Sequence, residues 1–203
     1  MNTYRIAAVS LLLTLAGSAG AASLALKPSP GMNVIGNVIQ VGQGGTVNLD
    51  LQLVLEDGDT PPGQYGGTIV VSYEASQFDF AGFAPNGVSY FCDPLPPGGC
   101  APIVATTGSM ETVELGFENA FNTNVVGTFS FIANSSIGEI ASLGLADADD
   151  FFGTFLRYEP AFGPYALSFA GASVSTVPLP ASVWLLGTAL GGLVARRRFR
   201  RTG

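Results

Sequence analysis

Between its two apolar ends, this chain of 203 residues has no apolar pattern of helical period reaching ten residues. That absence constrains the fold more than any motif does. What fills the interval is alternation. Val47, Leu49, Leu51, Leu53 and Leu55 are interleaved with Asn48, Asp50, Gln52 and Val54, the period-two pattern of a strand with one buried face. EDGDTPPGQ at 56–64 then gathers Asp, Gly and Pro into a loop, and TIVVSY at 68–73 resumes as strand. Further strands are expected at 23–27, 38–41, 78–83, 103–107, 112–117, 125–133, 140–145, 152–158 and 165–174. Short strands punctuated by turn residues predict an all-β chain folded as an antiparallel β-sandwich. A parallel α/β fold would need crossover helices that the pattern does not supply.

The ends read as addresses rather than as parts of the fold. Residues 1–5 carry one positive charge, 6–16 are an apolar run too short to span a bilayer, and Ala19-Gly20-Ala21 has the small-x-small form of a signal-peptidase site. Residues 1–21 are therefore expected to be a signal peptide, cut with Ala19 and Ala21 in the recognition positions. At the far end come three parts in order: Val177, Pro178, Leu179, Pro180 and Ala181, an uncharged run at 183–195, and Arg196, Arg197, Arg198, Arg200 and Arg201. As a helix the run is about 20 Å long against a hydrocarbon core of about 30 Å, a marginal anchor. The basic end at 196–203 should stay cytoplasmic, leaving the body at 22–176 outside.

Together these three parts resemble the VPLPA variant of the PEP-CTERM sorting signals of Gram-negative bacteria. The resemblance covers residues 177–203 and matches the five-residue motif in full. It implies recognition by an exosortase, a membrane-embedded enzyme resembling cysteine transpeptidases, with cleavage in or just after the motif. Before processing, the protein would face the periplasm, anchored transiently in the inner membrane. Afterwards it would lie at the cell surface or outside the cell, as a non-catalytic protein associated with exopolysaccharide or biofilm.

The body has its own likeness. VIQVGQGGTVNLDLQLVL at 38–55, YGGTIVVSYEASQFDFAGF at 65–83 and VGTFSFIANSSIGEIASLGL at 126–145 resemble cohesin-like jelly-roll modules, from which the cysteine-bearing insertion at 84–102 departs. That likeness implies a scaffold for adhesion to carbohydrate or protein.

Charge and chemistry narrow the function. From 22 to 176 the only basic residues are Lys27 and Arg157, against fifteen acidic ones, a net charge of −13. Such a surface repels nucleic acid and anionic lipid. Cys92 and Cys100 enclose DPLPPGG and are expected to form a disulfide in the oxidising periplasm, stabilising the fold by about 2–3 kcal/mol. There is no histidine, which removes the commonest general base and most catalytic zinc sites. Glu111 and Glu114 share a strand but, three residues apart, face opposite sides of it, so they do not form a carboxylate pair for glycoside hydrolysis. No catalytic residue is assigned.

No cofactor is expected; calcium is the one ion whose ligand chemistry the acidic loops offer, at Asp147, Asp149 and Asp150 and at Glu56, Asp57 and Asp59. The rings that could stack on sugar are Tyr65, Tyr90, Phe91, Phe151, Phe152, Tyr158, Phe162 and Tyr165, whereas Phe129 and Phe131 alternate along a strand as core residues do. A secreted carbohydrate-binding module is the alternative reading.

Overall fold

A computed structural model describes residues 22–54, 65–86, 89–90, 102–118, 125–148, 156–157, 163–164 and 167–178. Everything structural below concerns these residues. They form β1 (Ser23–Pro28), β2 (Asn33–Ile35), β3 (Val38–Gly42), β4 (Thr46–Val54), β5 (Tyr65–Glu74), β6 (Phe78–Pro85), β7 (Ser89–Tyr90) and β8 (Ile103–Thr107). The chain continues through β9 (Met110–Glu118), β10 (Val125–Ala133), β11 (Ile140–Asp147), β12 (Leu156–Arg157), β13 (Gly163–Pro164), β14 (Ser168–Ala170) and β15 (Ala172–Val177). The described residues include no helix.

The strands build two sheets. One runs β14-β1-β4-β10-β6; the other runs β13-β12-β5-β11-β15-β3-β2, with β9 also paired to β5, and β7 and β8 paired to β9. Alternation decides what lies between them. Val47, Leu49, Leu51 and Leu53 of β4, Phe129 and Phe131 of β10, Ile69, Val71 and Tyr73 of β5, Val113, Leu115 and Phe117 of β9, and Ala141, Leu143 and Leu145 of β11 are buried in one core. Aromatic rings bridge the sheets: Tyr73 meets Phe131 at 5.2 Å and Phe78 at 6.2 Å between ring centroids, both edge-on, the arrangement the ring quadrupoles favour.

Most pairings are antiparallel. Two are parallel, β1 with β14 and β15 with β3, and both arise from one event. The strand expected at 165–174 is divided at Gly171: β14 lies beside β1 in the first sheet, and β15 crosses into the second between β11 and β3. A β-carbon at Gly171 would stand 2.0 Å from the carbonyl oxygen of Leu143, so only glycine lets the chain change sheets there.

The strands at 103–107 and 125–133 have the expected limits, and those at 23–27, 38–41, 68–73, 78–83, 112–117 and 140–145 extend by one to three residues at one end or both. Of the segment at 152–158, the described part is β12. The β2 strand was not anticipated. Its three residues are all exposed, so it carries no alternation to read. It does have a turn signal, since Gly36 and Asn37 form the two-residue connection between the register pair Ile35 and Val38, with Gly36 at φ +63°.

Candidate functional site

The two sheets present different outer faces. On the five-stranded sheet several outward polar groups are paired with one another. Lys27, Asp50, Thr128 and Ala84 stand side by side across β1, β4, β10 and β6. Asp50 is buried, and its Oδ1 accepts hydrogen bonds from the Ser29 hydroxyl at 2.5 Å and the Thr128 hydroxyl at 2.8 Å. In the next row the Ser130 hydroxyl donates to Asn48 Oδ1 at 2.9 Å. At the end of the sheet the Asn134 amide donates to Asp79 Oδ2 at 2.7 Å.

The other outer face carries a row of small side chains. Across β8, β9, β5 and β11 the register aligns Ala105, Thr112, Ser72 and Gly144. The adjacent row holds Ile103, Glu114, Val70 and Ala146. Further along the sheet, Ser142, Ser173, Val38 and Ile35 form another row across β11, β15, β3 and β2. Ile103, Ile35 and Ile140 on this side are more than half exposed. The result is a low row of small side chains, rimmed by branched apolar ones.

Asp50, Asp79, Glu111 and Glu139 take part in structural hydrogen bonds. Glu111 lies on the inward side of β9, where its Oε2 accepts the Tyr73 hydroxyl at 2.9 Å, while Glu114 faces outward opposite Val70, as their spacing requires. Burial first, and then Glu111, raise the Tyr73 phenol above its ordinary range. Glu139 accepts from the Gln77 amide at 2.8 Å and from the Ser136 N–H at 3.2 Å, closing its own turn. Asp147 ends β11 in register with Ile69. Asp149 and Asp150 lie outside the described residues, as do Glu56, Asp57 and Asp59. Among the described residues no three acidic side chains converge into a metal-sized cluster.

The remaining expectations divide by position. Ala19, Ala21, Cys92, Cys100, Leu179, Pro180, Ala181 and Arg196, Arg197, Arg198, Arg200 and Arg201 lie outside the described residues, as do the apolar run at 183–195 and Phe91, Phe151, Phe152, Tyr158, Phe162 and Tyr165. Among the described residues no helix is long and apolar enough to cross a membrane. Phe129 and Phe131 are fully buried. Tyr65 begins β5 and Tyr90 ends β7.

Val177 and Pro178 are described, and their placement is specific. Val177 is the last residue of β15, in register with Gly42 of β3, and Pro178 follows it exposed and outside the ladder. Thr176, just before, is fully buried. Its hydroxyl donates to the carbonyls of Ser135 at 3.2 Å and Ser136 at 2.5 Å, and its own carbonyl accepts the Gly138 N–H at 2.8 Å. Sequence reading alone did not single out this clamp; a threonine one residue before the motif was its only mark.

No protein-family model and no curated protein matches the chain. Solved structures do resemble it. A chain of a CaDoc0917–CaCohA2 complex at pH 5.5 is 14% identical with a TM-score of 0.48, the likeness covering 77% of this chain and 100% of that one. A non-cellulosomal cohesin from the hyperthermophilic archaeon Archaeoglobus fulgidus is 7% identical at a TM-score of 0.44, over 77% of this chain and 91% of that one. A type III cohesin module from the cellulosomal ScaE cell-surface anchoring scaffoldin of Ruminococcus flavefaciens is 8% identical at 0.43, over 77% and 88%.

Proposed function

We propose that this protein is an exported, non-catalytic surface or matrix module, held in the inner membrane by its C-terminal segment until an exosortase releases the folded body. The observation that carries the reading is the junction at Val177. The last described strand of the sandwich ends at the residue where the VPLPA motif opens, and in the sequence an apolar run and a block of arginines follow. A sorting signal must follow a completed body, and here the two abut.

The binding work falls to the outer face formed by β8, β9, β5 and β11. On the opposite face Asp50, Asn48 and Asp79 are already hydrogen-bonded within the sheet, so a partner contacting them would exchange hydrogen bonds without net gain. Ala105, Thr112, Ser72 and Gly144 instead let a broad surface approach closely, and the net charge of the body favours neutral over anionic partners. Extracellular polysaccharide is the partner we propose, with the cell surface or its matrix as the location.

The test is fractionation of native cells with an antibody to the body. A shortened species in the surface or medium fraction is expected, together with full-length protein retained in the inner membrane when Pro178 and Pro180 are both replaced by alanine. Full-length protein confined to the inner membrane in the unaltered strain would sink the reading. The second reading, a secreted carbohydrate-binding module acting through an aromatic platform, is separated by a glycan array. Binding that Tyr158→Ala or Tyr165→Ala abolishes favours the platform, and binding unaffected by either favours the flat face.

A further inference from the structure

We infer that this protein self-associates through the free edge of β8, two copies pairing their β8 strands antiparallel about a two-fold axis at Ala105. The end of a sheet attracts other strands because its outer N–H and C=O groups lack partners, and folded chains guard such ends with short strands, bulges, proline or charge. Among the described residues the other sheet ends are guarded. β2 and β14 have three residues each, and β7 and β13 have two, with Pro164 in β13. β6 is longer, but its register with β10 shifts between Phe80 and Gly82, Gly82 has φ +145°, and the strand closes on Pro85.

β8 carries none of these devices. Its five residues, IVATT, contain no charge and no proline, run against β9 without a register shift, and are all exposed. Val104 is in register with the buried Val113 and is nevertheless 48% exposed, so the core does not reach beneath β8. The direction of the free backbone groups follows from the adjoining turn. Gly108 and Ser109 connect the register pair Thr107 and Met110, with Gly108 at φ +65°, and the pair that closes a two-residue hairpin exchanges hydrogen bonds. Alternation then commits Ile103, Ala105 and Thr107 to β9 and turns the N–H and C=O groups of Val104 and Thr106 to the open side.

A second copy fits this edge for three reasons. Paired about Ala105, each Val104 stands opposite Thr106 of the other copy, and the two exchange the backbone hydrogen bonds that both lack. The carboxylates of β9 also avoid one another. Glu114 stands in the row of Ile103, which continues into Thr107 and Met110 of the second copy, and Glu111 stands in the row of Thr106, which continues into Val104 and Val113. Finally, the row of Ala105, Thr112, Ser72 and Gly144 runs through the axis into its own copy, so that two low faces become one. The use of that doubled face, to hold a polymer through two copies at once, rests on the function proposed above; the pairing itself does not. Two bodies of net charge −13 repel at long range, so the association should strengthen as salt screens them.

The register makes the test specific. Ala105 meets Ala105 of the second copy at a position without backbone hydrogen bonds between them, where Cα atoms stand about 4.5 Å apart, within disulfide reach. Thr107 lies about 14 Å from its own counterpart, beyond that reach. Full-length Ala105→Cys, oxidised in detergent micelles, is expected to run as a covalent dimer on a non-reducing gel, and Thr107→Cys as a monomer. In sedimentation under the same conditions the unaltered chain is expected to double its mass as protein and salt concentrations rise. Val104→Pro, which removes an N–H from the open side and none from the β9 ladder, is expected to stay monomeric. An Ala105→Cys chain that forms no covalent dimer, equal dimer with both cysteine variants, or a doubled mass that survives Val104→Pro would overturn the inference. No polysaccharide enters either experiment, so each of those results would leave the binding reading standing.

Discussion

The two sheets share one core yet finish their outer faces in opposite ways. The five-stranded sheet pairs several of its outward polar groups with each other, Asp50 with Ser29 and Thr128, Asn48 with Ser130. The larger sheet keeps its outward row at β8, β9, β5 and β11 small, as Ala105, Thr112, Ser72 and Gly144. Their inner faces differ as well. Phe78, Phe80, Phe83, Phe129 and Phe131 all belong to the five-stranded sheet, whereas the larger sheet contributes mainly aliphatic residues, with Tyr73 and Phe117 as its buried rings. One sheet is a wall in which Asp50 and Asn48 are already hydrogen-bonded to their neighbours. The other is the surface proposed above for binding.

If that division is right, stability is concentrated in the phenylalanine-bearing wall. Phe131 touches Tyr73, Phe78, Phe80 and Phe129 with ring centroids at 5.2 to 6.2 Å, so Phe131→Ala should cost about 3–5 kcal/mol. Val174, buried in β15 of the larger sheet, should lose about 2 kcal/mol as Val174→Ala, two methyl groups being removed. Denaturant titration of both variants gives the order, and a larger loss at Val174 would break the comparison. Gly171→Ala at the crossing between the sheets should cost about 3 kcal/mol, because the added methyl meets the Leu143 carbonyl and the backbone must shift. A loss below about 1 kcal/mol would mean that the crossing can relax.

The wall was also the more legible half. At β4 and β10 the alternation of large apolar with polar residues is nearly unbroken, and β10 was located to the residue. Gly171 was harder. FAGASV contains neither proline nor a charged turn residue, so the segment reads as continuous strand. What it does contain is a slip of phase. Phe169 pairs with Leu24 on an inward row, but Ala172, Val174 and Thr176, each an odd number of residues further on, are the next inward positions. A one-residue slip in the alternation marks a strand that changes sheets. The small outer face could not be seen in any one strand, since Ala105, Thr112, Ser72 and Gly144 become neighbours only once the pairing is known. The clamp on Thr176 was hidden for the same reason: its acceptors, Ser135 and Ser136, belong to a turn far earlier in the chain.

Tyr73 joins the two inner faces, and it gives a pH-dependent test. Its ring packs on Phe78 and Phe131 of the wall while its hydroxyl serves Glu111 of the larger sheet. Burial and then the Glu111 carboxylate raise the phenol's pKa in the folded state, so the folded chain holds a proton that the unfolded chain releases near about pH 10. Its contribution is therefore complete below about pH 10 and is lost as pH rises beyond that. The melting temperature should fall on the alkaline side, and Tyr73→Phe should flatten that fall. At neutral pH the same substitution should cost about 1 kcal/mol, the net value of one hydrogen bond. An alkaline slope unchanged by Tyr73→Phe would assign the titration to another group.

The smallest effect on stability should accompany the largest effect on binding. Thr112 lies at the middle of the low row, between Ala105 and Ser72, with its hydroxyl 3.4 Å from the Ala105 carbonyl. Thr112→Lys should change stability by about 0.5 kcal/mol or less, as outward-facing strand positions away from the core usually do. A long charged side chain there would hold any broad partner away from the sheet and would have to be desolvated beneath it. Gln52→Lys is the matching change on the other wall, at an outward position of β4 between Ala25 and Val125. Retention of the purified body on exopolysaccharide from the native cells, measured by co-sedimentation, should fall for Thr112→Lys and stay level for Gln52→Lys. The reverse result would move the binding surface to the five-stranded sheet, where the ladder from Asn48 to Asp50 would then have to exchange its internal hydrogen bonds for those of a partner.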